Sequence, residues 1–163
     1  MRNFLLQTDS LDEKITTWMA RNGINILRIS IGIIYVWFGA LKLIPGASPA
    51  EPLIRETLYF LPLNYFIPFL ALWEIVIGLG FLSGKFMRLT ILLMMLQMIG
   101  AVSPIVLNPG AVFVRFPFIL TLEGQYIIKN LILIAAAIVV GATVRGGRLT
   151  NEAEHSTVEV SNA

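Results

Sequence analysis

Long apolar runs alternate along this chain with short breaks rich in glycine, proline and charge, and they lack the one-face periodicity of an ordinary half-buried helix or strand. A hydrocarbon core of ~30 Å takes about 20 helical residues to cross. Four runs meet or approach that length: residues 24–44, 65–82, 89–107 and 122–144. In lipid the backbone must satisfy its own hydrogen bonds, and runs of this composition do so as helices. The pattern predicts an all-α fold, an integral membrane four-helix bundle over residues 24–144. The breaks "IPGASPAEP", "SGKFMR" and "NPGAVFVRFP" hold turn formers and are read as loops.

The two ends read differently. Residues 1–23 mix charged and apolar positions at partly helical spacing, which predicts an N-terminal interfacial segment with Trp18 and Met19 dipping into the membrane. Residues 145–163 are polar and aperiodic and are expected to be disordered. The first run is read as a span and not as a cleaved leader: it has full span length, a long polar segment precedes it, and Lys42 interrupts the cleavage side. Arg21, Lys85, Arg88, Arg145 and Arg148 fall on one side of the spans, against Lys42, Arg55 and Arg115 on the other. The positive-inside rule then places both termini in the cytoplasm.

Composition supports the membrane class and narrows the chemistry. Of 163 residues, 56% are hydrophobic and 13% charged, far from the balance of a soluble domain. The bilayer is the first partner. Twelve bases and ten acids are dispersed, leaving no basic stripe for nucleic acid. There is no cysteine, and the one histidine, His155, lies in the tail, so the spans supply no thiol redox chemistry and no axial haem pair. "IGLGFLSG" follows no strand and carries no weight as a nucleotide motif. No metal or intrinsic cofactor is expected; a redox group would come from a lipid-soluble cofactor, a substrate or another subunit.

The informative residues are the polar ones at depth. With Thr121 capping the fourth span and Glu123 in its first turn, where the helix dipole favours an anion, Lys129 lies roughly 12 Å in. Counting from Asn64 as cap, Glu74 lies about 15 Å along the second span, and Gln97 is about 13 Å from the inner end of the third. A mid-bilayer charge costs roughly 2.5–3.5 kcal/mol on insertion scales and normally finds a partner inside the bundle. Glu74 and Lys129 are therefore expected to pair, with Gln97 bonding to them. On the first span Arg28, Gly32, Tyr35, Gly39 and Lys42 share one face, and the glycines let a neighbour approach closely. For Lys42 the competing reading is snorkelling to the interface; for Arg28 it is snorkelling or contact with a lipid phosphate. Trp37, Trp73, Phe66 and Tyr126 are candidates to border a ring-shaped ligand, against the commoner role of aromatic packing.

Three stretches, "LRISIGIIYVWFGALKLIPG", "WEIVIGLGFL" and "LTLEGQYIIKNLILIAAAIVV", together resemble the DoxX-like bacterial membrane proteins, including the related reactive-chlorine-resistance membrane proteins. The likeness rests on the arginine opening the first span, W-x-G-x-x-K closing it (Trp37, Gly39, Lys42), E-x-x-x-G in the second (Glu74, Gly78) and the early lysine of the fourth (Lys129). It covers residues 21–141 and neither polar end. The resemblance implies a four-helix bundle of the bacterial cytoplasmic membrane linked to redox or oxidative stress, with quinone as the cofactor and a partner redox subunit, as in thiosulfate:quinone oxidoreductase. On this reading Glu74, Lys129, Gln97, Lys42, Glu123, Tyr35, Trp37, Trp73 and Tyr126 form an intramembrane polar cluster that takes quinone or a small oxyanion. Two other readings use the same residues: an oligomeric carrier or channel for a small solute, and a scaffold or assembly subunit whose polar residues only register helices.

Overall fold

The computed structural model describes residues 2–147 and Leu149, with side chains described from Leu11 onward. Of the expected tail only residues 145–147 and Leu149 are described; Arg148, His155 and the others lie outside the described residues. Four segments are long and apolar enough to cross a membrane: Leu11–Lys42, Leu63–Ser83, Met87–Leu107 and Leu122–Ala142. They overlap the four runs anticipated from the sequence, the first beginning at Leu11 instead of residue 24, and the chain has the build of a multi-pass membrane protein.

The first span belongs to α1 (Arg2–Lys42). Helix α1 runs unbroken through the segment expected to lie separately on the interface, because nothing between residues 11 and 30 interrupts it: no proline, and Gly23 with open space around it. A short helix α2 (Glu51–Thr57) follows, then α3 (Leu63–Ser83). The third span is α4 (Met87–Val102) plus one turn, α5 (Pro104–Leu107), where proline at the first position starts a new helix. Helix α6 (Pro109–Val112) leads into a small antiparallel hairpin, β1 (Phe113–Arg115) with β2 (Ile119–Leu120), in a stretch expected to be loop. The fourth span is α7 (Leu122–Ile128) and α8 (Asn130–Ala142), nearly continuous, since the Lys129 amide still reaches Gln125 O at 3.1 Å.

Helix α1 packs against α3 and α8, and α4 packs against the same two, so the spans form a four-sided bundle with α1 opposite α4 and α3 opposite α8. The α1–α3 seam is the tightest. A Cβ placed on Gly39 would lie 2.8 Å from Ala71 O; one on Gly78 would lie 2.7 Å from Val36 N and 2.8 Å from Gly32 O. Backbone touches backbone there, as small-residue packing permits. The central core is Ile31, Tyr35, Ile77, Phe81, Met94, Met98, Ala137 and Val140. Leucines and isoleucines on the far faces, such as Leu72, Leu92, Ile99 and Ile138, are exposed. This inversion, with apolar side chains both inside and outside, is what lipid as solvent demands.

At one end α2, α5, α6 and the hairpin fold into a cap with a core of its own, Leu53, Val112 and Ile127. Helix α2 is braced to the turn before it: Gly46 N–H donates to Glu51 at 2.9 Å, and Arg55 grips the other carboxylate oxygen through Nε at 2.9 Å and Nη2 at 2.7 Å. The Gly46 amide first, then Arg55, hold the Glu51 carboxyl below the usual carboxylate range.

Candidate functional site

The stripe on α1 does face the bundle, and its last residue decides the site. Lys42 closes α1, but its side chain folds back along the preceding turn instead of reaching outward. Long side chains on a helix lean toward its N-terminus, which makes that path natural. Close approach at Gly39 brings Glu74 of α3 within reach, and Lys42 Nζ donates to Glu74 Oε2 at 2.6 Å. Both side chains are nearly sealed, at 7% and 8% exposure. Gln97 of α4 donates through Nε2 to Glu74 Oε1 at 3.1 Å, and Tyr35 of α1 donates its hydroxyl to Gln97 Oε1 at 3.2 Å. Three helices thus feed one continuous chain, Tyr35 to Gln97 to Glu74 to Lys42, in which every donor aims at a distinct acceptor.

The pairing of Glu74 with Lys129 is overturned, and the topology says why. The two side chains belong to α3 and to the α7–α8 span, which occupy opposite corners of the bundle, whereas Lys42 sits on the neighbour that α3 touches most closely. An equal expected depth along two helices does not make their side chains adjacent. Lys129 instead lies over the Tyr126 ring, 3.6 Å from its centroid, with Phe38 of α1 at 5.3 Å. Among the described residues no carboxylate is within ion-pair distance of it.

Chain and lysine nevertheless share a cavity. It measures about 490 Å³ and lies between the polar chain and the cap. Seven of the nine expected residues line it: Tyr35, Lys42, Glu74, Gln97, Glu123, Tyr126 and Lys129. Between these polar groups the walls are apolar, with Ile34, Phe38, Leu70, Met98 and Leu133. Thr121 positions the α7 side as anticipated: its hydroxyl accepts from Gly124 N at 3.0 Å and donates to Ala111 O at 2.6 Å, which ties the helix start to the cap and sets Glu123 in the first turn.

Trp37 and Trp73 are not part of it. Trp37 is 65% exposed on the outer face of α1. Trp73 turns toward α4, where its indole N–H donates to Leu93 O at 3.1 Å, and it packs edge-on against Phe69 at 5.3 Å. Phe66 does not line the cavity either. The expected cap Asn64 lies inside α3, which begins after Pro62 without a side-chain cap. Arg28 is satisfied within the protein: its guanidinium donates to Phe81 O and, at 3.1 Å, to Leu82 O, capping the free carbonyls of α3. Lining residues that sequence reasoning missed include Phe38, Ser48, Thr57 and Asn130. Thr57 is buried, with a hydroxyl that has no hydrogen-bond partner. No pattern in the sequence signals it, because α2 reaches the cavity only through the tertiary fold of the cap.

No protein-family model, curated protein or solved structure matches the chain. The site therefore stands on its own geometry: a mainly apolar cavity with a buried, hydrogen-bonded ion pair on one wall and an aromatic-flanked ammonium on another.

Proposed function

We propose that this chain is a DoxX-like, redox-associated subunit of the bacterial cytoplasmic membrane, with both termini cytoplasmic, and that its cavity binds a membrane-dissolved quinone. The observation that carries this reading is the Lys129 ammonium: it lines a mainly apolar cavity, lies against aromatic rings, and among the described residues has no carboxylate within ion-pair distance. A quinone fits such a donor set. Its flat ring suits apolar and aromatic walls, and a carbonyl oxygen accepts from the ammonium. The cavity volume of about 490 Å³ falls in the ordinary range for small-molecule sites. A fully hydrated oxyanion matches the apolar walls less well.

Quinone, when bound, would supply the electron-accepting chemistry; the chain has no cysteine and its one histidine lies outside the spans, so on this reading the electrons reach the quinone from a partner subunit. Lys129 orients the ring by hydrogen bonding. Glu74, fixed by Lys42 and Gln97, is the group placed to hold a proton near the cavity, with Tyr35 and Gln97 continuing the hydrogen-bonded chain. A scaffold would need the ion pair but neither the cavity nor an ammonium without an ion-pair partner.

The test is quinone content. Protein purified in mild detergent from quinone-containing membranes should yield bound quinone on solvent extraction, and Lys129→Met should lose it while keeping wild-type helicity. Quinone-free protein that also shows no Tyr or Trp fluorescence quenching on quinone titration would overturn the proposal.

A further inference from the structure

The end of the bundle remote from the cavity holds a second concavity, of about 650 Å³, that the quinone reading does not use. Arg28, Arg88 and Arg145 line it, from α1, from the first turn of α4 and from just beyond α8. Two left-handed residues bring these elements together: Gly84 at φ +67° and Phe86 at φ +53° make the turn from α3 to α4 tight enough to set Arg88 across from Arg28. Among the described residues no Asp or Glu lines the cleft, and neither ion pair involves these arginines. Arg28 is anchored by the α3 carbonyls, while Arg88 and Arg145 are exposed. Val140, Val144 and Leu89 give the floor an apolar lining, and the Phe86 ring stands 82% exposed at the rim.

We infer that this cleft binds the phosphate of an anionic phospholipid. Three guanidiniums without a carboxylate concentrate positive potential in one concavity, and planar N–H forks match phosphate oxygens. Arg88 is the second residue of α4 and Arg145 lies three residues beyond the end of α8, so the cleft sits at the ends of the spans, where the hydrocarbon core gives way to headgroups. Basic pockets between spans at that level take anionic headgroups. The apolar floor and Phe86 commit the source to a lipid and not to free phosphate: an acyl chain has surface to lie against, and a small ion gains nothing from it.

Native mass spectrometry of the full chain in mild detergent tests this, with phosphatidylglycerol, phosphatidylcholine and inorganic phosphate as probes. We expect one phosphatidylglycerol retained in preference to phosphatidylcholine, with about fivefold weaker retention for each of Arg88→Gln and Arg145→Gln. Both are exposed, so the unfolding midpoint should hold; Arg28, which caps α3, is left intact. Lys129→Met should leave lipid retention unchanged, which separates this site from the quinone cavity. Equal retention of both lipids, wild-type retention by the double Arg variant, or displacement of the lipid by millimolar phosphate would each overturn the assignment.

Discussion

Removing one half of the Lys42–Glu74 pair should damage the protein more than removing both. At 2.6 Å, and with an effective dielectric of ~20, the two charges attract by about 6 kcal/mol. Taking each out of water opposes that by several kcal/mol per ion, so the intact pair is near break-even against an apolar pair of similar volume. A lone buried charge keeps its desolvation penalty and loses its compensation. Lys42→Met leaves the carboxylate with only Gln97 as donor; Glu74→Leu leaves an ammonium sealed at 7% exposure with a long 3.5 Å contact to Phe38 O. Each single variant should lose about 3 kcal/mol, the insertion-scale cost of one uncompensated charge. The double variant should come back to within about 1 kcal/mol of wild type. The assay is reversible unfolding in mixed micelles by SDS titration, followed by helicity. A second cycle, Glu74→Leu with Arg88→Gln at the other end of the bundle, serves as the control and should be additive within about 0.5 kcal/mol, because those residues share neither a partner nor a cavity. Additive losses in the first cycle, or strong coupling in the second, would refute the site as described.

Other outcomes follow from the same geometry. Gly78→Leu forces a side chain into the Val36 amide and the Gly32 carbonyl; unfolding should show a loss of about 3 kcal/mol, the upper end for overpacking, and cysteine crosslinking across the α1–α3 seam should fall. Tyr35→Phe deletes one neutral hydrogen bond to Gln97 and should lose about 0.5–1.5 kcal/mol in the same titration. For α2, the depressed Glu51 carboxyl contributes stability that is complete above the ordinary carboxylate value of about 4 and is lost as pH falls through the lower folded value. The protection of residues 51–57 against hydrogen exchange, taken relative to the intrinsic rate at each pH, should therefore fall in acid in the wild type, and Glu51→Gln should show a low protection that does not change with pH.

Hydrophobic run length alone determined the class and the four spans, because lipid leaves the backbone no option but helix and demands a fixed number of residues to cross. The capped start of α7 and the glycine stripe of α1 were legible for a similar reason: each is a local rule, a hydroxyl at a helix end or a face repeated every three or four residues. Position along a helix was legible too, since it is a count of residues, and that count made Glu74 and Lys129 look like partners. Only the tertiary structure decided which residues are neighbours. Helix order around the bundle put α3 beside α1 and across from α8, so Glu74 met Lys42, and Lys129 was left to aromatic rings. The same holds for Thr57 on the folded-back α2 and for three arginines scattered over more than a hundred residues. Rise per residue is a property of one helix; azimuth and neighbour choice belong to the assembled bundle, where close backbone contact at Gly39 and Gly78 selects the partner.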